Sequence, residues 1–203
     1  MKDLVRRQLA QSIATLQAVH DSQEIHDTIV TIGQLTADAM KSGHKLLVAG
    51  NGGSAADAQH LVAEFVARLT VDRPALRAIA LTTDTSILTA VGNDYSFEHV
   101  IERQVEALGQ PGDVFLAIST SGNSKNLIRA LTLARKLGIT TIGFTGSGGG
   151  RMKPLCDHNV IVPSKVTMNI QESHLALEHI FCMTVERFTF GMDFDKQPQV
   201  LSE

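Results

Sequence analysis

Tryptophan is absent from this sequence of 203 residues, and tyrosine occurs once. That scarcity of large flat rings argues against a platform on which the bases of a single-stranded nucleic acid would stack. An excess of positive charge is missing too. Lys and Arg number 18 against 21 Asp and Glu, giving a net charge of -3 and a pI near 6.2, so no basic face for a nucleic-acid backbone is implied. No apolar run approaches the roughly 20 residues of a membrane span. The N-terminus, MKDLVRRQLAQSIATL, breaks its apolar residues with charges and does not read as a secretory signal. The two cysteines, Cys156 and Cys182, have no metal-ligand spacing and suggest no disulfide framework. Buried free thiols in a cytoplasmic protein are the expectation.

What is present is an ordinary globular composition, 43 % hydrophobic and 19 % charged, in a chain long enough for one well-buried domain. Residues 1–42 carry apolar residues at helical spacing (Leu4, Leu9, Ile13, Leu16, then Ile25, Ile29, Ile32, Leu35), which predicts two helices joined near HDSQE. Asp21 or Ser22 is the candidate cap of the second. Apolar strands then alternate with helices. The strands are KLLVAG, LRAIALT, DVFLAIS, TTIGFTG and HNVIVP. Helices are expected from about Ser54, within 85–108, over 124–137 and over 170–190. This alternation predicts an α/β three-layer sandwich, a five-stranded parallel sheet of flavodoxin-like or Rossmann-like type with an added N-terminal helical hairpin. All of 1–203 reads as one domain: helices 1–42 for oligomer packing, 43–190 as the α/β core with the C-terminal helix, and the tail after Gly191 as a surface or interface segment.

Ligands of such sheets bind beyond the carboxyl ends of the strands. There the sequence turns polar and glycine-rich, as GNGGS, TTDTS, STSGNS and TGSGGG. GNGGSA formally fits the dinucleotide fingerprint, but the acidic residue that should hold a ribose is misplaced: Asp72 precedes the second strand and Asp84 lies too far along. No glycine loop ends in Gly-Lys-Ser/Thr, so a Walker-type triphosphate site is absent. ISTSGNSKNLI is more informative. Ser119, Thr120, Ser121 and Ser124 leave a strand and enter a helix, so hydroxyls and backbone N–H groups converge at a positive dipole end suited to a phosphate monoester. The plain alternative is a serine-rich capped turn.

His60 and Glu64, four residues apart, share one face of the helix that leaves GNGGS. Far downstream, NIQESHLALEHIF supplies Gln171, His174 and His179. Together His60, Glu64, Gln171 and His179 form a mixed N/O set acceptable to zinc or a similar divalent ion. A solvated polar helix face would use the same residue types. On a continuous helix Gln171 and His179 are separated by about 12 Å of rise, so both reach one ion only by leaning together, if the helix begins after Gln171, or if a neighbouring subunit completes the site.

Four stretches, GNGGSAADAQHLVAEF, TTDTSILTAVGNDYSFE, GDVFLAISTSGNS and IQESHLALEHIFC, carry a resemblance that extends over almost the whole chain. The sequence resembles the sugar isomerase (SIS) domain family, in particular its bacterial phosphoheptose isomerases. The resemblance implies conversion of sedoheptulose 7-phosphate to D-glycero-D-manno-heptose 7-phosphate through an enediolate, for lipopolysaccharide or related glycans. It implies that Ser119, Thr120, Ser121 and Ser124 hold the phosphate, and that Asn51, Gly52, Gly53, Ser54, Asn93 and Asp94 line the sugar with Glu64 and Gln171. It also puts His60, Glu64, Gln171 and His179 on the zinc positions, with one zinc per subunit, and Glu64 and His179 on the acid/base pair. A cytoplasmic homotetramer follows from the same resemblance. The rival reading is a non-catalytic member of the family that binds a replication-initiation protein, or another phosphosugar isomerase. Such a binding protein has lost the acid/base positions, and here both are present.

Overall fold

The structure, a computed structural model, describes residues 1–191; the expected interface role of the tail after Gly191 lies outside the described residues. Two helices come first, α1 (Lys2–His20) and α2 (Gln23–Lys41). Ser22 caps α2 by accepting from Ile25 N, whereas Asp21 closes α1. Strand β1 (Leu46–Ala49) then leads into α3 (Gly53–Val66), and β2 (Ala78–Ala80) into α4 (Thr85–Asp94). The predicted helical stretch 85–108 is broken by a 3-10 turn, Phe97–His99, before α5 (Val100–Leu108). The chain continues with β3 (Val114–Ser119), α6 (Lys125–Lys136), β4 (Thr140–Gly146), β5 (His158–Val162) and α7 (Thr167–Phe190).

All five strands are parallel, in the order β2-β1-β3-β4-β5. The predicted strand LRAIALT shrinks to three residues because β2 is an edge strand, paired on one side only. Alternate residues of each central strand face opposite layers. Leu46, Val48, Leu116 and Phe144 pack with α2, α3 and α7, and Leu47, Ala49, Phe115 and Ala117 with α5 and α6. Near-continuous apolar strands are what a sheet covered on both faces requires. Of the two N-terminal helices assigned to oligomer packing, α2 also covers the sheet: its Ile25, Ile29 and Ile32 belong to the core. Only α1 stands apart, with Val19 its one buried residue.

Order reverses between β1, whose successor β2 lies on one side, and β3, whose successors lie on the other. This switch point opens a crevice at the strands' carboxyl ends, and the loops GNGGS and STSGNS flank it. At the opposite end Asp113 closes the sheet. Its buried carboxylate accepts from Lys45 N (3.0 Å), Gln110 N (2.8 Å) and Lys45 Nζ (2.6 Å). Asp113→Ala strands two backbone donors and a lysine, and should lower unfolding free energy by about 2–4 kcal/mol in urea titration.

Candidate functional site

Both helices that start at the crevice lack a side-chain cap. At the head of α3 the N-cap is Gly52, and at the head of α6 it is Ser124, whose hydroxyl makes no capping bond. Instead Ser124 Oγ pairs with Ser119 Oγ at 2.9 Å. The serine loop thus lacks the side-chain N-cap of a plain capped turn: the Ser119 and Ser124 hydroxyls bond each other, and of the first-turn N–H groups of α6 that of Leu127 is accepted by Asn126 Oδ1 at 3.0 Å. Gly122 lets the β4 loop approach, since a side chain there would meet Gly149 O at 2.1 Å. Ser121 is exposed, and its hydroxyl accepts from Asn123 N at 3.2 Å. Thr120 stands between Ser119 and Ser121 and its carbonyl accepts from Gly146 N. Across the crevice, Asn51 and Asn126 exchange a reciprocal pair of amide bonds (3.0 and 2.8 Å) that ties the head of α3 to that of α6.

Helices α3 and α7 run side by side in the same direction, and three polar rungs join them. At the first, Gln171 Nε2 donates to both Asp57 oxygens (3.1 and 3.0 Å), and the Gln171 amide lies so close to Gly53 that a side chain there would collide with it. Ser54, beside it, is buried. The second rung brings His60, Glu64 and His179 together. The two imidazole Nε2 atoms are 2.8 Å apart, His60 Nε2 is 3.5 Å from Glu64 Oε1, and ligand atoms from all three lie within 4.8 Å of one another. Two nitrogens and a carboxylate converging in this way match the donor chemistry of a His2Glu zinc site. The third rung, beyond the end of α3, is Arg73 with Glu186 at 2.8 Å.

Gln171 is therefore turned to Asp57, about one turn before His60 on α3, and makes no described contact with the trio. Asn93 and Asp94 bond each other at 2.9 Å, exposed at the end of α4, with no described bond to the serine loop, the GNGGS loop or the trio. Asn126, Asp57, Arg73 and Glu186 were not singled out from the sequence. Asp57 had a signal, because 57, 60 and 64 share one helix face. Arg73 and Glu186 had none, being distant in sequence and ordinary in type.

Helix α7 also buries His174 and Glu178. His174 Nε2 donates to Thr145 O at 3.1 Å, while its Nδ1 has no partner among the described residues. Burial lowers this imidazole to about 4 despite that bond. Neither Glu178 oxygen has a partner among the described residues; burial first, then the nearby Asp57 charge, pushes the carboxyl up to about 8. Burial also raises Asp57 against the Gln171 bond and the His60 charge. The folded Glu178 value lies above its ordinary 4.5. Its contribution is thus fully present below that value and is lost as pH rises towards about 8, because the unfolded chain ionises first. Glu178→Gln should remove this slope: its thermal midpoint relative to the wild type should rise between about pH 5 and pH 8.

Comparison with known proteins gives three findings. The SIS domain family model matches residues 9–146. A phosphoheptose isomerase of Aneurinibacillus thermoaerophilus is 48% identical over 194 residues, covering 96% of this chain and 98% of the relative. Among solved structures, a phosphoheptose isomerase from Neisseria gonorrhoeae superimposes with a TM-score of 0.86 at 40% identity, covering 91% of this chain and 98% of its own. One from Francisella tularensis does so with a TM-score of 0.87 at 34% identity, covering 91% and 97%.

Proposed function

Since the chain belongs to the SIS domain family, we propose that it is a phosphoheptose isomerase, an aldose–ketose isomerase acting on D-sedoheptulose 7-phosphate. Its product is D-glycero-D-manno-heptose 7-phosphate, a precursor of nucleotide-activated heptose for lipopolysaccharide or other glycans. The observation that carries this reading is the convergence of His60, Glu64 and His179 in a chain whose relatives at nearly full coverage bear that name.

The reaction moves a proton between C1 and C2 through an enediolate, and needs a base at carbon, an acid near the oxygens and positive charge. Glu64 is the base and His179 its acid partner. His60, Glu64 and His179 would hold a zinc ion that polarises the substrate carbonyl, and Gln171 would join as a fourth donor only by turning its amide from Asp57 towards the trio. Ser119, Thr120, Ser121 and Ser124 receive the phosphate at the head of α6. Asn51, Gly52, Gly53, Ser54, Asn93 and Asp94 line the sugar. Anchoring the phosphate end of an extended seven-carbon chain turns remote binding into orientation at C1 and C2.

Turnover of sedoheptulose 7-phosphate, followed with and without zinc, tests the reading. Activity should fall on chelation and return with zinc. Glu64→Gln should lower kcat by about 10²–10⁴-fold. Ser124→Ala should instead weaken substrate and product binding together, by about 1–3 kcal/mol. A wild-type protein that turns over nothing would overturn the reading.

We place the protein in the cytoplasm, where its two buried thiols stay reduced, as a homo-oligomer whose pocket is completed by a second chain. Helix α1 leaves Leu4, Val5, Leu9, Ile13 and Leu16 exposed, Ile13 by 66%. An apolar row of this size on one helix suits a protein–protein interface. Helix α4, which ends in Asn93 and Asp94, buries none of its residues within the chain, which suits a segment covered by a neighbour. A tetramer is the assembly that the family resemblance implies. A Leu9→Glu/Ile13→Glu variant should shift to smaller species in light scattering and lose turnover with them. A fully active monomer at assay concentration would exclude the shared pocket.

A further inference from the structure

The third rung between α3 and α7 has no part in the chemistry just described, yet it is the most completely buried polar contact in that interface. The Arg73 and Glu186 side chains are 1% and 0% exposed. Arg73 uses every face of its guanidinium. Nε donates to Glu186 Oε1 at 2.8 Å, Nη1 to Phe65 O at 2.7 Å and Pro74 O at 3.2 Å, and Nη2 to Glu64 O at 2.7 Å. Thr70 Oγ1 donates to the second Glu186 oxygen at 3.1 Å. Helix α3 has no basic residue in its last turn. Arg73, reaching back from the following loop, supplies the positive charge that the carbonyl end of a helix attracts.

Two of those carbonyls belong to Glu64 and its neighbour, so the fork that caps α3 also holds the backbone of the residue assigned as base. Glu186, which fixes the fork, lies seven residues beyond His179 on α7. Seven residues are about two turns, which returns to the same helix face. Glu64 and His179 are thereby referenced to one buried charge pair. A pair of this kind stabilises poorly compared with apolar residues of equal volume, but a guanidinium held through all three of its nitrogens, to Glu186 and to three backbone carbonyls, tolerates little displacement.

We propose that Arg73 and Glu186, with Thr70, are positioning residues for the isomerase site. They hold the C-terminal end of α3 in register with α7 so that His60, Glu64 and His179 converge. This rests on the function proposed above and adds to it the device that sets the trio's geometry. A lysine at 73 keeps the charge but cannot serve Glu186, Glu64 O and Phe65 O together.

The test is Arg73→Lys in the full-length chain, with Thr70→Ala as a milder second variant should the first not fold. Zinc affinity of the metal-stripped protein, read by competition with a chromophoric chelator, should fall by about 10–100-fold in Arg73→Lys and less in Thr70→Ala. In turnover, kcat should fall with KM nearly unchanged, because the phosphate anchor at the head of α6 is untouched. A folded variant with wild-type zinc affinity and wild-type kcat overturns the proposal and leaves the pair a stabilising contact only. A loss confined to thermal stability does the same. If the wild type turns over nothing, the functional reading fails and the affinity ratio still decides this one. If the wild type holds no zinc, the kcat and KM split decides it.

Discussion

Packing of α3 along α7 is the constraint from which the site follows. Phe65 and Phe181, 5.7 Å apart between ring centroids, fill the seam beneath the polar rungs, and both are fully buried against the sheet. Since the helices run in the same direction, contacts near residue 57 fix those near 64 and 73 in turn. Gln171, His179 and Glu186 on one side meet Asp57, His60 with Glu64, and Arg73 on the other. The apolar seam holds the helices together, and the rungs determine how far one is slid along the other. A slide of one residue, about 1.5 Å, would separate the trio's ligand atoms.

The two ends of the site rest on different physics. At the crevice the groups proposed to receive the phosphate are backbone N–H groups at helix heads without a side-chain N-cap, beside the paired hydroxyls of Ser119 and Ser124. A site so built is neutral and needs no side chain of unusual pKa. At the trio the groups proposed to do the chemistry are three ionisable side chains with two imidazole nitrogens in mutual contact, and their convergence depends on geometry between two separate helices. The reciprocal amides of Asn51 and Asn126 tie the head of α6 to the turn that opens α3, the helix that carries His60 and Glu64.

Much of this was legible in the sequence because it is local. Apolar runs of four to seven residues separated by helical patterns gave the parallel sheet, and glycine and serine clusters marked the strands' carboxyl ends. Spacing also put His60 and Glu64 on one face. The extent of LRAIALT was misjudged because edge position, which shortens β2, is a property of strand order and not of composition. Helix α2 was misjudged for a related reason. Its stripe of Ile25, Ile29 and Ile32 has the same spacing as that of α1, and only tertiary packing decides which stripe meets the core. Capping was read correctly as a question at Ser124, but its answer depends on where Ser119 points.

What the residues alone could not carry is the pairing of positions more than 100 apart, which is the register of α3 on α7. The resemblance set His60 and His179 on one metal site, but nothing pointed to Asp57 with Gln171 or to Arg73 with Glu186. Arg73 lies in a loop beside Pro74 and Glu186 near the end of a long helix, places where charged residues are ordinarily solvated. Their burial reverses that reading, because a guanidinium and a carboxylate removed from water must each find full hydrogen-bonding partners. The partners Arg73 finds are the carbonyls that end α3, so satisfying a buried charge and placing Glu64 become the same event. That is why a polar contact remote from the sheet's ligand crevice bears on the chemistry at the trio.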